Sequence, residues 1–144
     1  MSIFDSIAIN TSGLSLERLK LDTISTNIAN VNTTRTEGGG PYIKKTVTFE
    51  ENVKHSQSAL STGNTQKSFG VKATGMEEDD SNLVREYNPE SPDADENGYV
   101  TLPNVNMADE MVDMMTTLRT YEANATALEA SKNMLKQALQ IAAK

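Results

Sequence analysis

Residues 107–142, MADEMVDMMTTLRTYEANATALEASKNMLKQALQIA, carry apolar side chains at alternating spacings of four and three. The row consists of Met107, Met111, Met114, Leu118, Tyr121, Ala125, Leu128, Leu135, Leu139 and Ala142, and Lys132 alone interrupts it. This spacing places the side chains on one seam of a helix, where they insert between side chains of a facing helix. With Asn106 as N-cap and acids in the first turn, the pattern predicts a helix from Asn106 to about Ala143.

The first residues of the chain repeat the same rhythm. The second row consists of Ile3, Ile7, Leu14, Leu21, Ile24, Ile28 and Val31, with Asn10 and Glu17 at the two remaining seam positions. It predicts a helix from Ser2 to about Asn30, with Gly13 as a weak point. Asn27 and Asn30 compete for backbone hydrogen bonds and are expected to end the helix.

The middle of the chain is polar and predicts a small β insert. Short alternating runs predict four strands, at Ile43–Phe49, Phe69–Ala73, Leu83–Tyr87 and Tyr99–Leu102. The polar stretch His55–Lys67 between the first two predicts a long loop. The expected fold is mainly α with a small β insert, and the expected segments are an assembly helix in 1–36, a β-rich insert in 37–103 and an assembly helix in 104–144.

The net charge of -7 is concentrated in the middle of the chain. Nine acids and one arginine give residues 76–98 a charge of -8, so the remainder sums to +1. This distribution argues against nucleic acid or an anionic membrane as a partner. Asp5 stands where a cleaved signal peptide would carry basic residues, and no apolar run reaches membrane-spanning length. We therefore expect neither a cleaved signal nor a membrane span.

The sequence offers little that could support catalysis or bind a cofactor. Asp93–Gly98 is similar to the start of an EF-hand loop, but Asn104 stands where the bidentate glutamate belongs. An acidic turn is the main interpretation, and calcium binding stays open as an alternative. His55 is the single histidine and there is no cysteine, which excludes a His-based triad and thiolate metal sites. We predict no catalytic residues, no metal site and no cofactor.

The two seams have two interpretations. They can pair with each other inside one chain, or they can pack against helices of other subunits. Several apolar side chains lie off both seams and would stay in water in a two-helix hairpin: Phe4, Ala8, Leu16, Leu19, Val112, Met115, Met134, Ala138 and Ile141. Five of the seven methionines lie in the predicted C-terminal helix, where flexible thioethers suit packing against non-identical neighbours. These features favour assembly without deciding it.

Residues 25–34, STNIANVNTT, resemble the N-terminal signature of bacterial flagellar rod, hook and hook-associated proteins. The similarity continues through GGGPY at 38–42, PDADENGYV at 92–100, PNVN at 103–106 and EMVDM at 110–114. Thr36 and Glu37 precede the glycine run where the general pattern has Gly-Tyr or Gly-Phe, a departure that matches the short proximal rod branch. The resemblance covers nearly the whole chain in order.

This resemblance implies a structural subunit of the periplasm-spanning rod, exported through the flagellar type III apparatus without signal cleavage, which carries torque from the membrane ring toward the hook. It implies contacts with other rod proteins, membrane-ring and rod-adaptor proteins, the export apparatus and further copies of itself. The predicted assembly interface comprises Ile7, Leu14, Leu21, Ile24, Asn27, Ile28, Asn30, Met111, Met114, Leu118, Tyr121, Ala125, Leu128, Leu135 and Leu139. Lys132 is a candidate register or partner selector. The alternative is a soluble helical adaptor or secretion chaperone with an intramolecular helix pair.

Overall fold

The computed structural model describes residues 3–55, 66–81 and 83–142. In chain order the elements are helix α1 (Ile3–Ala29), strands β1 (Lys44–His55), β2 (Gln66–Asp79), β3 (Val84–Tyr87) and β4 (Tyr99–Leu102), and helix α2 (Met107–Ala142). In sequence, two long terminal helices flank a small β module, which confirms the predicted fold class. Neither helix combines the length and apolarity that crossing a bilayer requires.

Helix α1 ends where the asparagine-rich segment predicts. The Thr26 carbonyl oxygen accepts hydrogen bonds from both the backbone amide and the side-chain Nδ2 of Asn30, at 3.2 and 2.9 Å. The Thr33 hydroxyl then donates to Asn30 Oδ1 at 3.2 Å and ties the following turn to this residue. The helix continues through Gly13. The two predicted ends lie within one residue of those observed.

Helix α2 begins after the predicted cap. Asn106 Oδ1 accepts a hydrogen bond from the Ala108 amide at 3.0 Å, and Asp109 and Glu110 occupy the first turn. At 1.5 Å per residue the helix is about 54 Å long, far beyond the average for globular proteins. Pro103, directly after strand β4, separates the β module from this cap.

Strands β1 and β2 form a two-stranded sheet and are longer than predicted. The Thr48 hydroxyl donates to the Gly75 carbonyl at 3.1 Å, and the Lys45 ammonium lies 3.3 Å from a Glu78 carboxylate oxygen. The predicted loop His55–Lys67 was wrong at its ends, since His55 closes β1 and Gln66 opens β2. Its centre, 56–65, lies outside the described residues. Strand ends whose side chains are polar on both faces give no alternation for a sequence pattern to detect.

Strands β3 and β4 pair antiparallel, with Val84 opposite Leu102 and Tyr87 opposite Tyr99. The two tyrosine rings meet edge to face at 5.3 Å between centroids. Gly98 closes the intervening turn with φ +80°, and a Cβ there would lie 3.0 Å from the Tyr87 ring. A glycine is therefore required at this position on both grounds.

The chain forms two compact units, and both helices and both strands of the long sheet contribute to each. One unit comprises the described parts of Met1–Leu19, Thr48–Gly75 and Thr117–Lys144; the other comprises Lys20–Val47 and Met76–Thr116. The division into assembly segments 1–36, 37–103 and 104–144 concerns their roles and stays a prediction.

In the first unit α1 and α2 run antiparallel and touch through small polar groups. The Ser6 and Ser131 hydroxyls lie 3.0 Å apart. Further along, a Cβ at Gly13 would lie 3.0 Å from Asn124 Nδ2, so the missing side chain admits this amide. Gly13 lowers the helix propensity of α1, but its missing side chain allows the two helices to approach closely at this point.

Candidate functional site

Helix α2 carries many large apolar side chains that its own chain does not cover. Among the described residues these are Met107, Met111, Val112, Met115, Leu118, Tyr121, Met134, Leu139 and Ile141, with exposed fractions from 37% to 77%. We call this set the outer row. Four of its members belong to one compact unit and the remainder to the other. Apolar side chains exposed in such number on one element are typical of a surface that a partner covers.

The predicted seam of α2 is only partly buried. Met111, Leu118, Tyr121 and Leu139 belong to the outer row. The other predicted interface residues of this helix are half-buried: Met114, Ala125, Leu128 and Leu135. Their role as an assembly interface stays a prediction.

The side of α2 that is buried within the chain begins at Glu110, one residue before Met111 of the predicted seam. Glu110, Thr117 and Ser131 are buried, Asn124 is half-buried, and these four positions are seven residues apart in sequence. They alternate with Met114, Tyr121, Leu128 and Leu135 at spacings of three and four. Helix α2 therefore carries two overlapping seams that share these four apolar side chains.

On helix α1, Asn27 is the centre of a buried polar cluster. Its side chain is 1% exposed. Nδ2 donates to the Lys45 carbonyl at 2.9 Å and to Glu110 Oε2 at 3.0 Å. Oδ1 accepts hydrogen bonds from the Tyr42 hydroxyl at 2.9 Å and from the Lys45 amide at 3.1 Å. The amide thus uses both donors and both acceptor positions.

Glu110 contributes the negative charge of this cluster and is also 1% exposed. The Lys44 ammonium lies 2.6 Å from Glu110 Oε1 and balances the buried carboxylate. The Lys44 amide in turn donates to Asn104 Oδ1 at 2.9 Å, and Asn104 Nδ2 reaches the Ser81 carbonyl at 3.0 Å. We call Asn27, Tyr42, Lys44, Glu110 and the Lys45 backbone the Asn27 cluster.

The electrostatics of the cluster favour a charged lysine and a neutral tyrosine. The hydrogen bond to Glu110 raises the pKa of Lys44, although partial burial acts in the opposite direction. Burial raises the pKa of Tyr42, and the negative charges of Glu110 and Glu78 raise it further. The arrangement is a buried ion pair in which Glu110 Oε2 accepts the hydrogen bond from Asn27, while Oε1 is balanced by the Lys44 ammonium through charge and not through a hydrogen bond of regular geometry.

The remaining predicted residues of α1 have intermediate exposure. Ile7, Leu14, Leu21, Ile24, Ile28 and Asn30 are all half-buried. Asn27 was predicted both to end the helix and to belong to the assembly interface, and the structure places its side chain in the buried Asn27 cluster. Its role in assembly stays a prediction. Glu110, Lys44, Tyr42 and Asn104 were missed. The sequence did contain a signal for Glu110, since polar residues recur every seven positions on α2 from Glu110 onward. A search for apolar patterns ignores such residues.

The acidic stretch Asp93–Gly98 forms a turn stabilised by its own carboxylates. Asp95 Oδ1 accepts hydrogen bonds from the Asn97 and Tyr99 amides, both at 2.9 Å. Asp93 Oδ2 accepts one from the Thr34 hydroxyl at 2.8 Å. These contacts are those of an acidic turn.

Comparison with known proteins adds two family matches and full-length relatives. The family described as "Flagella basal body rod protein" matches residues 7–35, and "Flagellar basal body rod FlgEFG protein C-terminal" matches residues 96–141. The chain is 42% identical to the flagellar basal-body rod protein FlgC of Borreliella burgdorferi, over 98% of each chain. It is 38% identical to FlgC of Bacillus subtilis, over 98% of this chain and 99% of the relative. It is 33% identical to FlgC of Salmonella typhimurium, over 98% and 96%.

Proposed function

The chain belongs to the FlgC family of flagellar basal-body rod proteins, and we propose that its terminal helices hold it in the rod and transmit torque. It is a structural component of the proximal rod of the flagellar basal body. The proposed mechanism is mechanical: long helices pack against helices of neighbouring subunits and transmit rotation from the membrane ring toward the hook. We propose no catalytic step for this chain.

The observation that supports assembly through helices is the outer row of α2. Val112 and Ile141 are 61% and 77% exposed, and each fully buried side chain of this size contributes about 1.5–3 kcal/mol. A subunit that presents so much apolar surface gains stability when neighbours cover it. The adaptor or chaperone alternative requires only the intramolecular helix pair and leaves the outer row in water.

The family associates with other rod components of the basal body, and the finer list of partners is our proposal. It comprises further copies of this chain, other proximal and distal rod subunits, membrane-ring and rod-adaptor proteins, and the export apparatus during delivery. Partners that contact the outer row are expected to offer apolar helix faces, because α2 there presents methionine, leucine, valine and isoleucine side chains.

Leu118→Asp tests the proposal in a motile strain whose sole copy of this subunit is the variant. Leu118 is 44% exposed, so the substitution leaves the isolated chain largely intact but introduces a carboxylate into the proposed contact. An unpaired charge buried at such a contact costs about 3–5 kcal/mol. We expect loss of swimming and of complete basal bodies, with secretion of the subunit retained.

Val84→Asp is the matched control. Val84 lies on strand β3, outside the terminal helices, and is 55% exposed. The control therefore also replaces an apolar side chain by a carboxylate, at a similar exposure. We expect this variant to swim. Normal swimming with Leu118→Asp, or equal loss in both variants, would contradict assembly through the outer row.

A further inference from the structure

The two helices meet at pairs of polar or small residues with a regular spacing. In the first compact unit Ser6 faces Ser131 and Gly13 faces Asn124. In the second, Asn27 faces Glu110. On each helix these positions are separated by multiples of seven, which is the repeat at which helices in a coiled coil meet. Polar residues at such positions specify the register of helix pairs more than they stabilise them.

We propose that the Asn27 cluster positions helix α2 on helix α1 within its own compact unit, fixing its register and rotation there so that Met111, Val112 and Met115 of the outer row face rod neighbours. This inference rests on the proposed function, because it assigns the cluster a role in preparing the surface that assembly uses. Glu110 and Asn27 are then positioning residues that never touch the neighbouring subunit.

The geometry of the cluster favours the observed register over a one-turn shift that brings later residues of α2 to this place. Glu110 must offer one oxygen to Asn27 and the other to Lys44, at 3.0 and 2.6 Å. A shift of α2 by one turn brings Asp113 or Met114 to this place. Aspartate is one methylene shorter, and a thioether is a weak acceptor, so either shift leaves a buried amide or ammonium without its partner.

The same turn of α2 links the cluster to the outer row. Glu110 is 1% exposed, whereas Met111, Val112 and Met115 are 46%, 61% and 56% exposed. At 100° per residue these three side chains lie about 100–160° around the helix from Glu110. A rotation of α2 that moved Glu110 out of the cluster would therefore turn part of the outer row toward its own chain.

Register is measurable because the chain has no cysteine, so spin labels attach only where a cysteine is introduced. Asp22→Cys on α1 and Thr116→Cys on α2 provide two exposed label sites within one compact unit. The label-to-label distance distribution is recorded for the otherwise unaltered chain, for Glu110→Gln and for Glu110→Leu. Swimming and incorporation into basal bodies are scored for the same Glu110 variants without the labels.

We expect one narrow distance for the unaltered chain. The distribution for Glu110→Gln should lie between those of the unaltered chain and of Glu110→Leu, because its single amide oxygen still accepts the bond from Asn27 while the Lys44 ammonium loses its carboxylate partner. Glu110→Leu should retain the helix pair, broaden the distance distribution and lose incorporation. If Glu110→Leu does not fold, Lys44→Met/Glu110→Met replaces the whole pair by apolar groups and carries the same expectation.

A narrow, unchanged distance with normal incorporation in Glu110→Leu or in the double variant would overturn the inference. So would loss of incorporation in Glu110→Gln together with an unchanged distance. Failure of the proposed function is recognised separately, since it would show as normal incorporation of Leu118→Asp while the distances in the Glu110 variants still responded.

Discussion

At the scale of single residues, the decisive feature is that the best-buried side chains among the described residues are polar. Asn27 and Glu110 are each 1% exposed, whereas many of its large apolar side chains are exposed. A buried carboxylate is tolerated here because an ammonium and an amide satisfy it. These two buried residues are thus different from the outer row, which is proposed to bind neighbouring subunits.

The Asn27 cluster predicts loss of stability at alkaline pH. The pKa values of Tyr42 and Lys44 are raised above their ordinary values of 10.0 and 10.5. A raised pKa contributes stability below the unfolded value, and this contribution is lost as the pH rises through the folded value. We expect the free energy of unfolding, measured by urea denaturation, to be retained below the ordinary pKa of tyrosine, about 10, and to fall as the pH rises above it.

Absorbance titration of the four tyrosines tests the raised pKa of Tyr42 directly. Tyr42→Phe should remove the component that ionises last, while Tyr87→Phe, at an exposed ring, should leave it in place. Persistence of the late component in Tyr42→Phe, or an unfolding free energy that does not fall as the pH rises above the ordinary pKa of tyrosine, would contradict the assignment.

At the scale of elements, helix α2 uses one set of apolar side chains for two seams. Leu128 is shared and half-buried, whereas Leu118 belongs to the outer row. Both residues belong to the predicted assembly interface, so substitution of either by aspartate is expected to abolish assembly and motility while secretion is retained. The structure separates them in the isolated chain.

We expect Leu128→Asp to lower the free energy of unfolding of the isolated chain by about 1–3 kcal/mol, because a charge enters the helix pair. Leu118→Asp should change it by no more than about 0.5 kcal/mol, since that side chain is largely exposed. Thermal denaturation followed by circular dichroism measures both. Equal destabilisation by the two substitutions would refute the distinction between the half-buried Leu128 and Leu118 of the outer row.

The two helices were predictable because apolar periodicity records them directly. Asn106 as N-cap and the turn before Tyr99 followed from local chemistry. The Asn27 cluster was not predictable in this way, since Asn27 and Glu110 are far apart in sequence and polar side chains on helices are ordinarily solvated. The long ends of β1 and β2 were missed for a related reason: Glu50 and Glu51 follow one another and give no apolar face.

At the scale of the whole molecule, the family matches and the helices coincide. The matched residues 7–35 and 96–141 contain most of α1 and all but the last residue of α2, together with the cap at Asn106 and the two central residues Asn27 and Glu110. Most of the β module lies between the two matched ranges. This distribution supports a common mode of assembly through the terminal helices, with the segment between them free to differ among rod proteins.

A density map of the intact basal body, with this chain traced at side-chain resolution, would show which of its surfaces the neighbouring subunits cover. We expect Met111, Val112, Met115 and Leu118 to lie within about 4 Å of apolar side chains of neighbouring subunits, while the Asn27 cluster stays within its own chain. A map in which these four side chains face solvent, and neighbouring subunits contact the β module instead, would contradict assembly through the outer row.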